Sequence, residues 1–304
     1  RSSDLILLSQ GKRKSVTLPL QSDLAATGIL LGYSRNTLTA CPAIFKSTFK
    51  TTAPDRIQPV WGDEMSAMTY YEEVMKLMDE IWETQFGIIK EAAGIFADKV
   101  RADKLIHVMG SGHSHMIAEE LFVRAGGLAN VNAWLDFNLI PTAGARKTCK
   151  LERLEGLAKI IWEEQKIDAD DVLVIISNSG RNSVPVETAL LAKERGICTI
   201  GITSMKHTKM TESRHSSGKR LYEVVDLVID TCVPHGDGLL HFNGVQGGPA
   251  STLAGVFIVN SIVAEALSIL NEAGYKLSVY GSQNVDGYCN EDYYRRFENR
   301  ITHL

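Results

Sequence analysis

Cysteine is scarce and unpaired in this chain. The five cysteines, Cys41, Cys149, Cys198, Cys232 and Cys289, are odd in number, widely spaced and form no CxxC pair. That excludes a disulfide framework and a zinc ribbon, and it points to a reducing, cytoplasmic setting. Basic charge is short as well: 32 Lys and Arg stand against 36 Asp and Glu, a formal net charge of -4. A phosphate-backbone binder needs clustered Lys and Arg, so no nucleic-acid partner is expected. Nor does any uninterrupted apolar run reach the ~18 residues a membrane helix needs. The best candidate, TLAGVFIVNSIVAEALSIL, is broken by Asn260, Ser261 and Glu265 and reads as a buried helix of a soluble domain, with no membrane partner. Apolar residues, 44% of 304, suffice for one large core or two modest ones.

Residues 1–64 differ from the rest. They are rich in Ser, Thr, Lys and Arg, lack sustained periodicity and open on Arg1. A transit peptide would be poor in acidic residues, and Asp4 and Asp23 count against that reading. The codons for WGDEM would form a purine-rich run resembling a bacterial ribosome-binding site. On that expectation the native chain starts at Met65 or Met68, and residues 1–64 are an atypical leader, disordered or not native.

Order begins at Thr69. Thr69 and Glu72 match a capping box, and Val74, Leu77, Met78, Ile81, Ile88, Ala92, Ile95 and Phe96 follow at helical spacing. KLIHVMGSGHSHMIAEELFVRAGG then reads as a strand to Met109, a glycine and hydroxyl turn, a helix to about Arg124 and a glycine stop. The same order recurs in VLVIISNSGRNSVPVETALLAKERG. Further strands are expected at ICTIGIT and VVDLVID, and helices over residues 151–165 and 249–271. Alternating β and α with continuously apolar strands predicts an α/β fold, a doubly wound parallel sheet flanked by helices.

In such sheets ligands sit beyond the carboxyl ends of the strands, where a helix N-terminus offers N–H groups and a positive dipole end. Ser177, Ser179 and Ser183 add hydroxyls there, Asn178 and Asn182 add amides, and Gly180 lets the backbone approach closely. That set suits a phosphate monoester. No Walker lysine or GxGxxG is present, so the common nucleotide motifs are unsupported. An isolated SxSG is an ordinary turn with a helix cap. Two glycine and hydroxyl turns at corresponding places argue for a site.

GSGHSHMIAEEL, ISNSGRNSVPVETALLAKERG and TIGITS, in this order, resemble the SIS (sugar isomerase) domain. FVRAGG, ERLEGLA and SQNVDG are similar to a bacterial branch of it known only as SIS-domain proteins. The resemblance covers roughly residues 69–275. It implies a flavodoxin-like three-layer sandwich over residues 65–280 and a phosphosugar ligand. It implies phosphate contacts from Ser177 and Ser179 and from the first turn, with Ser111, Gly112 and Ser114. Where relatives often have Thr or Ser two residues past the glycine, this chain has Asn182 followed by Ser183. Thr203 and Ser204, ending the next strand at the same edge, are second-rank contacts.

The reaction expected is aldose-ketose isomerisation by general acid-base proton transfer. The alternatives are a phosphosugar lyase or etherase and a non-catalytic phosphosugar-sensing regulator. Resemblance to a heptose-phosphate isomerase puts the base at Glu120. Glu119 competes, because adjacent helical residues lie ~100° apart and cannot share a face. His113 and His115 in the turn are acid-base candidates. His115 and Glu119 could hold a metal only with a third ligand from His215, His235 or His241. The zinc-bearing relatives use a longer first loop and a His-rich final helix, so no metal and no cofactor are expected. The polar insertion SMKHTKMTESRHSSGKRLYEV is too long for an ordinary connection and reads as a lid, with Arg214, His215 and Lys219 as contacts. Asp237 and His241 are further sugar-contact candidates. A homodimer or larger assembly is expected, because Trp82 and Phe86 lie off the main apolar stripe of the first helix. In residues 281–304, Tyr293, Tyr294, Phe297 and Ile301 recur at helical spacing, predicting a lid over the chain's own or a neighbour's pocket, or a dimer strap.

Overall fold

The computed structural model describes residues 67–304, and the leader lies outside them. Helix α1 (Ala67–Arg101) is already under way at Ala67, which puts Thr69 inside the helix and not at its cap. Its apolar stripe buries Leu77, Ile81, Ile89, Phe96 and Val100. Five parallel strands follow, β1 (Ile106–Gly110), β2 (Val131–Trp134), β3 (Val172–Ile176), β4 (Cys198–Thr203) and β5 (Leu227–Asp230), in the order β2-β1-β3-β4-β5.

Side-chain alternation along each strand makes three layers. Ile106, Val108, Val172, Val174 and Ile176 point to one face, where α1, α2 (His115–Leu121) and α7 (Ser251–Glu272) pack. Met109, Trp134, Leu173 and Ile175 point to the other, covered by α4 (Leu157–Glu163) and α5 (Ser183–Glu194). This is the doubly wound α/β fold the alternation predicts. Gly110 pairs with Ile176, so the chain leaves β1 and β3 side by side. The helix after β1 lies on one face and the helix after β3 on the other, which opens a crevice between them at the carboxyl edge.

Four local expectations need correction. The helix after β1 stops at Leu121, not near Arg124, because Phe122 turns extended and Val123 takes φ 47. The single helix expected over residues 151–165 is two, α3 (Ala145–Leu151) and α4, separated by a turn ending at left-handed Gly156. Strand β2 was not expected, since Asn130 and Asn132 interrupt its apolar character. Asn132 is wholly buried yet satisfied: its amide donates to His107 Nδ1 at 3.0 Å and its oxygen accepts from the Thr302 N–H at 3.1 Å. The segment 238–249 is a hairpin of β6 (Gly238–Phe242) and β7 (Val245–Pro249), turned by Asn243 and Gly244 at positive φ. Between β4 and β5, α6 (Met205–Thr208) opens the polar insertion.

Among the described residues, α7 alone is long and apolar enough to cross a bilayer by length and composition, with mean hydropathy 2.0. In the fold its buried stripe, including Ile258, Ile262 and Ala266, packs in the core shared with α1. Lys90 and Glu265 pair across that contact at 3.5 Å.

The tail ends in α8 (Glu291–Phe297) and packs on its own chain. Phe297 and Ile301 are buried against Leu105, Ala129 and Tyr280. Arg296 and Arg300 hold Asp103 at 2.7 and 3.2 Å. Asp103 and Leu105 precede β1 and Ala129 precedes β2, so α8 docks at the amino end of the sheet. A lid over this chain's own crevice is therefore ruled out, since the crevice opens at the carboxyl end.

Candidate functional site

The loop of residues 177–182 leaves β3 and enters α5. Gly180 sits at φ +59, and a Cβ there would stand 2.7 Å from Thr203 Oγ1 and 3.2 Å from Thr208 Oγ1. The turn therefore demands glycine. Its N–H donates to Ser177 Oγ at 3.2 Å, which folds the loop back on itself. Ser179 is half-buried, and among the described residues neither its hydroxyl nor its N–H has a partner. Its hydroxyl and N–H are therefore open to a ligand, as is the Nε of Arg181 in the same loop.

Other residues singled out in the sequence are spent on structure. Asn178 accepts Ser204 N–H at 3.0 Å through its carbonyl and Thr231 Oγ1 at 3.0 Å through its side chain. Ser183 is fully buried and its hydroxyl is within reach of the carbonyls of Arg153 (2.9 Å) and Arg214 (3.1 Å). Thr203 lies buried under Gly180 and donates to the Asn178 carbonyl at 3.3 Å. Ser204 caps α6, accepting His207 N–H at 2.9 Å and donating to the Val233 carbonyl. Asp237 caps α7 through Ser251 N–H at 2.7 Å. His241 is exposed on the hairpin.

The first turn faces the same crevice. Ser111 is buried and donates to Glu152 Oε2 at 3.2 Å; Gly112 and Ser114 are half-buried and His113 is exposed. His115 is buried, its Nδ1 2.8 Å from the Gly112 carbonyl and its Nε2 3.3 Å from Glu119, which is half-exposed. Glu120 accepts from Arg124 and from Asn260 of α7, each at 3.1 Å. The His115 and Glu119 pair gains no third partner: among the described residues, no three His, Cys, Asp or Glu side chains gather as a metal set.

The structure adds residues the sequence did not point to. Glu152, in the turn between α3 and α4, is hydrogen-bonded by Ser111 of the first turn, and Asn182 of the second loop stands beside it and lowers its proton affinity. Burial pushes its carboxyl above the usual glutamate range, against the pull of those two residues and of Arg153 and Arg214. Asn182 in turn accepts from Arg214 Nη1 at 2.8 Å. Arg214 belongs to the insertion, which folds onto the loop as a wall: Arg214 N–H donates to the Arg181 carbonyl at 2.8 Å and Leu221 N–H to the Gly180 carbonyl at 2.8 Å. Glu155 fixes the same wall through Ser216. Among the described residues the His215 ring bonds only to Ser217, and Lys219 is exposed.

Arg181 lies in the loop, Arg214 bonds it at Asn182, and Arg153 is near enough for its charge to act on Arg214. Burial, followed by the charges of Arg181 and Arg153, pushes Arg214 below its ordinary value. Arg181 Nε is buried without a partner. On the other side of the loop His207 and His235 pack with ring centroids 4.7 Å apart, and burial, His235 and Arg181 hold His207 below the ordinary imidazole range. No spacing rule links residues 153, 181 and 214, so the cluster has no signature along the chain.

Residues 69–204 match the family model of the SIS domain. The chain is 39% identical over 242 residues to a UPF0309 protein of Caldanaerobacter subterraneus, covering 77% of this chain and 98% of that one. It is 41% identical over 214 residues to a UPF0309 protein of Halalkalibacterium halodurans, covering 70% and 88%. Among solved structures it is similar to the phosphoheptose isomerase of Neisseria gonorrhoeae, at 16% identity and TM-score 0.46, covering 66% and 96%. The chain belongs to the UPF0309 family and carries a SIS domain.

Proposed function

We propose that the protein binds a phosphorylated sugar in the crevice between β1 and β3, with the phosphate on the loop of residues 177–182. The observation that carries this is the hydroxyl and N–H of Ser179, without a partner among the described residues, on a loop that contains Arg181 and is bonded by Arg214 at Asn182, where the charges of Arg181 and Arg153 act on Arg214. Like charges that lower one another's proton affinity are relieved by a dianion, and phosphate accepts several N–H and O–H donors at once. The sugar would extend toward the first turn, with Ser111, Gly112 and Ser114. The SIS match supports the same ligand class.

The reaction we assign is aldose-ketose isomerisation. It needs a group to carry a proton between adjacent carbons, and the carboxylates and imidazoles around the crevice supply candidates. His113, His115, Glu119 and Glu120 stand on the turn and helix after β1. The protein would work as a homodimer: Trp82 is 51% exposed and stacks on Phe86 on the outer side of α1, with Tyr71 and Met75 exposed on the same helix.

The test compares phosphorylated sugars with their unphosphorylated parents by thermal shift and calorimetry. Stabilisation by the phosphorylated forms alone is expected. Equal affinity for both would overturn the assignment.

A further inference from the structure

We propose that Glu152 is the group that moves the proton in this site, a role that rests on the phosphosugar reading of the same loops. Its position is fixed from three sides. Its carbonyl accepts Val184 N–H at 3.1 Å, and the next carbonyl, of Arg153, lies 2.9 Å from Ser183 Oγ. The turn is therefore clamped over the first residues of α5. Its carboxylate takes Ser111 Oγ at 3.2 Å from the turn after β1 and stands beside Asn182 of the loop after β3, whose side chain lowers its proton affinity. It thus stands between the two loops, bonded to the first and next to Asn182 of the second, in the crevice where strand order reverses.

The rival carboxylates are engaged elsewhere. Glu120 accepts from Arg124 and from Asn260 of α7 through the same oxygen, Oε1, so its carboxylate is held between α2 and α7. Glu119 is 52% exposed and paired with His115. Glu155 holds Ser216, and Asp237 holds the start of α7. Glu152 is half-buried and shifted upward by that burial, so it both takes and returns a proton closer to neutrality than an ordinary glutamate.

The step balances without any co-reactant. The Glu152 carboxylate takes the hydrogen on C2 of the aldose as a proton, and the C–H pair becomes the carbon–carbon double bond as the carbonyl π pair moves onto O1. The proton of the O2 hydroxyl passes to O1 as the C2 carbonyl forms. The Glu152 carboxyl returns its proton to C1. C1 is reduced and C2 oxidised by equal amounts, and nothing leaves.

The experiment incubates the full chain in D2O with pentose, hexose and heptose phosphates, in aldose and ketose forms, and reads deuterium at the carbon beside the carbonyl by NMR. Binding of inorganic phosphate and of each sugar phosphate is measured in parallel, and thermal melting confirms folding of each variant. Glu152→Gln should keep phosphate affinity within about threefold and lose exchange by about 100-fold or more, the scale of a general acid-base group. Glu152→Asp should recover part of the rate. In the wild type the exchange rate should rise with pH through a value above the ordinary carboxylate range, and Glu152→Gln should lack that limb. Exchange intact in Glu152→Gln, or phosphate affinity and exchange lost together in a folded Glu152→Gln or Glu152→Asp, would overturn the proposal. Sugar phosphates that bind the wild type without any exchange would also overturn it, while leaving phosphosugar binding standing. Failure of every phosphate to bind would remove both.

Discussion

Replacing Gly180 by alanine tests whether the phosphate loop is built as described. Two costs act. A left-handed backbone at φ +59 costs a residue with a Cβ about 1–2 kcal/mol. The new Cβ would also stand 2.7 Å from Thr203 Oγ1 and 3.2 Å from Thr208 Oγ1, both buried. Forcing such a contact in a packed region costs about 1–3 kcal/mol more. Gly112 separates the two: its φ is +60, but nothing lies within 4 Å of its would-be Cβ. Gly112→Ala should therefore lose about 1–2 kcal/mol and Gly180→Ala about 2–5 kcal/mol. Urea unfolding followed by the fluorescence of buried Trp134 and Trp162 measures both. Adding Thr203→Ala to Gly180→Ala removes the closest clash, so the double variant should lose less than the sum of the singles by at least about 0.5 kcal/mol. Phosphate affinity should fall in Gly180→Ala, because the Gly180 N–H that folds the loop onto Ser177 is displaced. Equal losses for the two glycine variants, within about 0.5 kcal/mol, would refute the steric account.

Four further outcomes follow from the same structure. Ser179→Ala should weaken binding of a phosphorylated sugar by about 1–3 kcal/mol in calorimetry, the scale of a hydrogen bond to a charged group, with little change in melting temperature. Glu152 has a folded-state proton affinity raised above that of the unfolded chain, so its support for folding is full at pH below the ordinary glutamate value and is withdrawn as pH rises through the raised value. Glu152→Gln should accordingly melt higher than wild type at pH 8 and show no such gain at pH 4, by differential scanning fluorimetry. Phe297→Ala should cost about 3–5 kcal/mol in urea unfolding and leave sugar-phosphate affinity unchanged, because α8 packs at the amino end of the sheet. Light scattering at micromolar concentration should give a dimer or larger assembly, and a monomer would end that part of the proposal.

The sequence by itself determined the fold class and the two strand-end turns that border the proposed crevice. Apolar runs such as VLVII are legible because a strand covered on both faces has no polar position, and a strand followed by a glycine and hydroxyl turn and a helix is a local pattern. Both turns lie within one such unit each, so Ser111, Ser177, Ser179 and Gly180 could be placed at the strand ends by reading along the chain. Strand β2 was not legible, because its Asn132 is tolerated in the core only by partners from elsewhere: His107 of β1, Gln165 and Thr302. The site's charge could not be read either. Arg153, Arg181, Arg214 and Glu152 come from three separate segments, and their mutual influence falls off with distance in space, which the spacing of residues along a chain does not report. Ser183 and Ser204 show the converse. Each is a hydroxyl at the expected edge, and only the packing decides that one turns inward to backbone carbonyls and the other caps a helix. The tail was legible as a helix and not in its destination, because what α8 buries is a hollow formed by residues 105, 129 and 280, assembled only when the sheet closes.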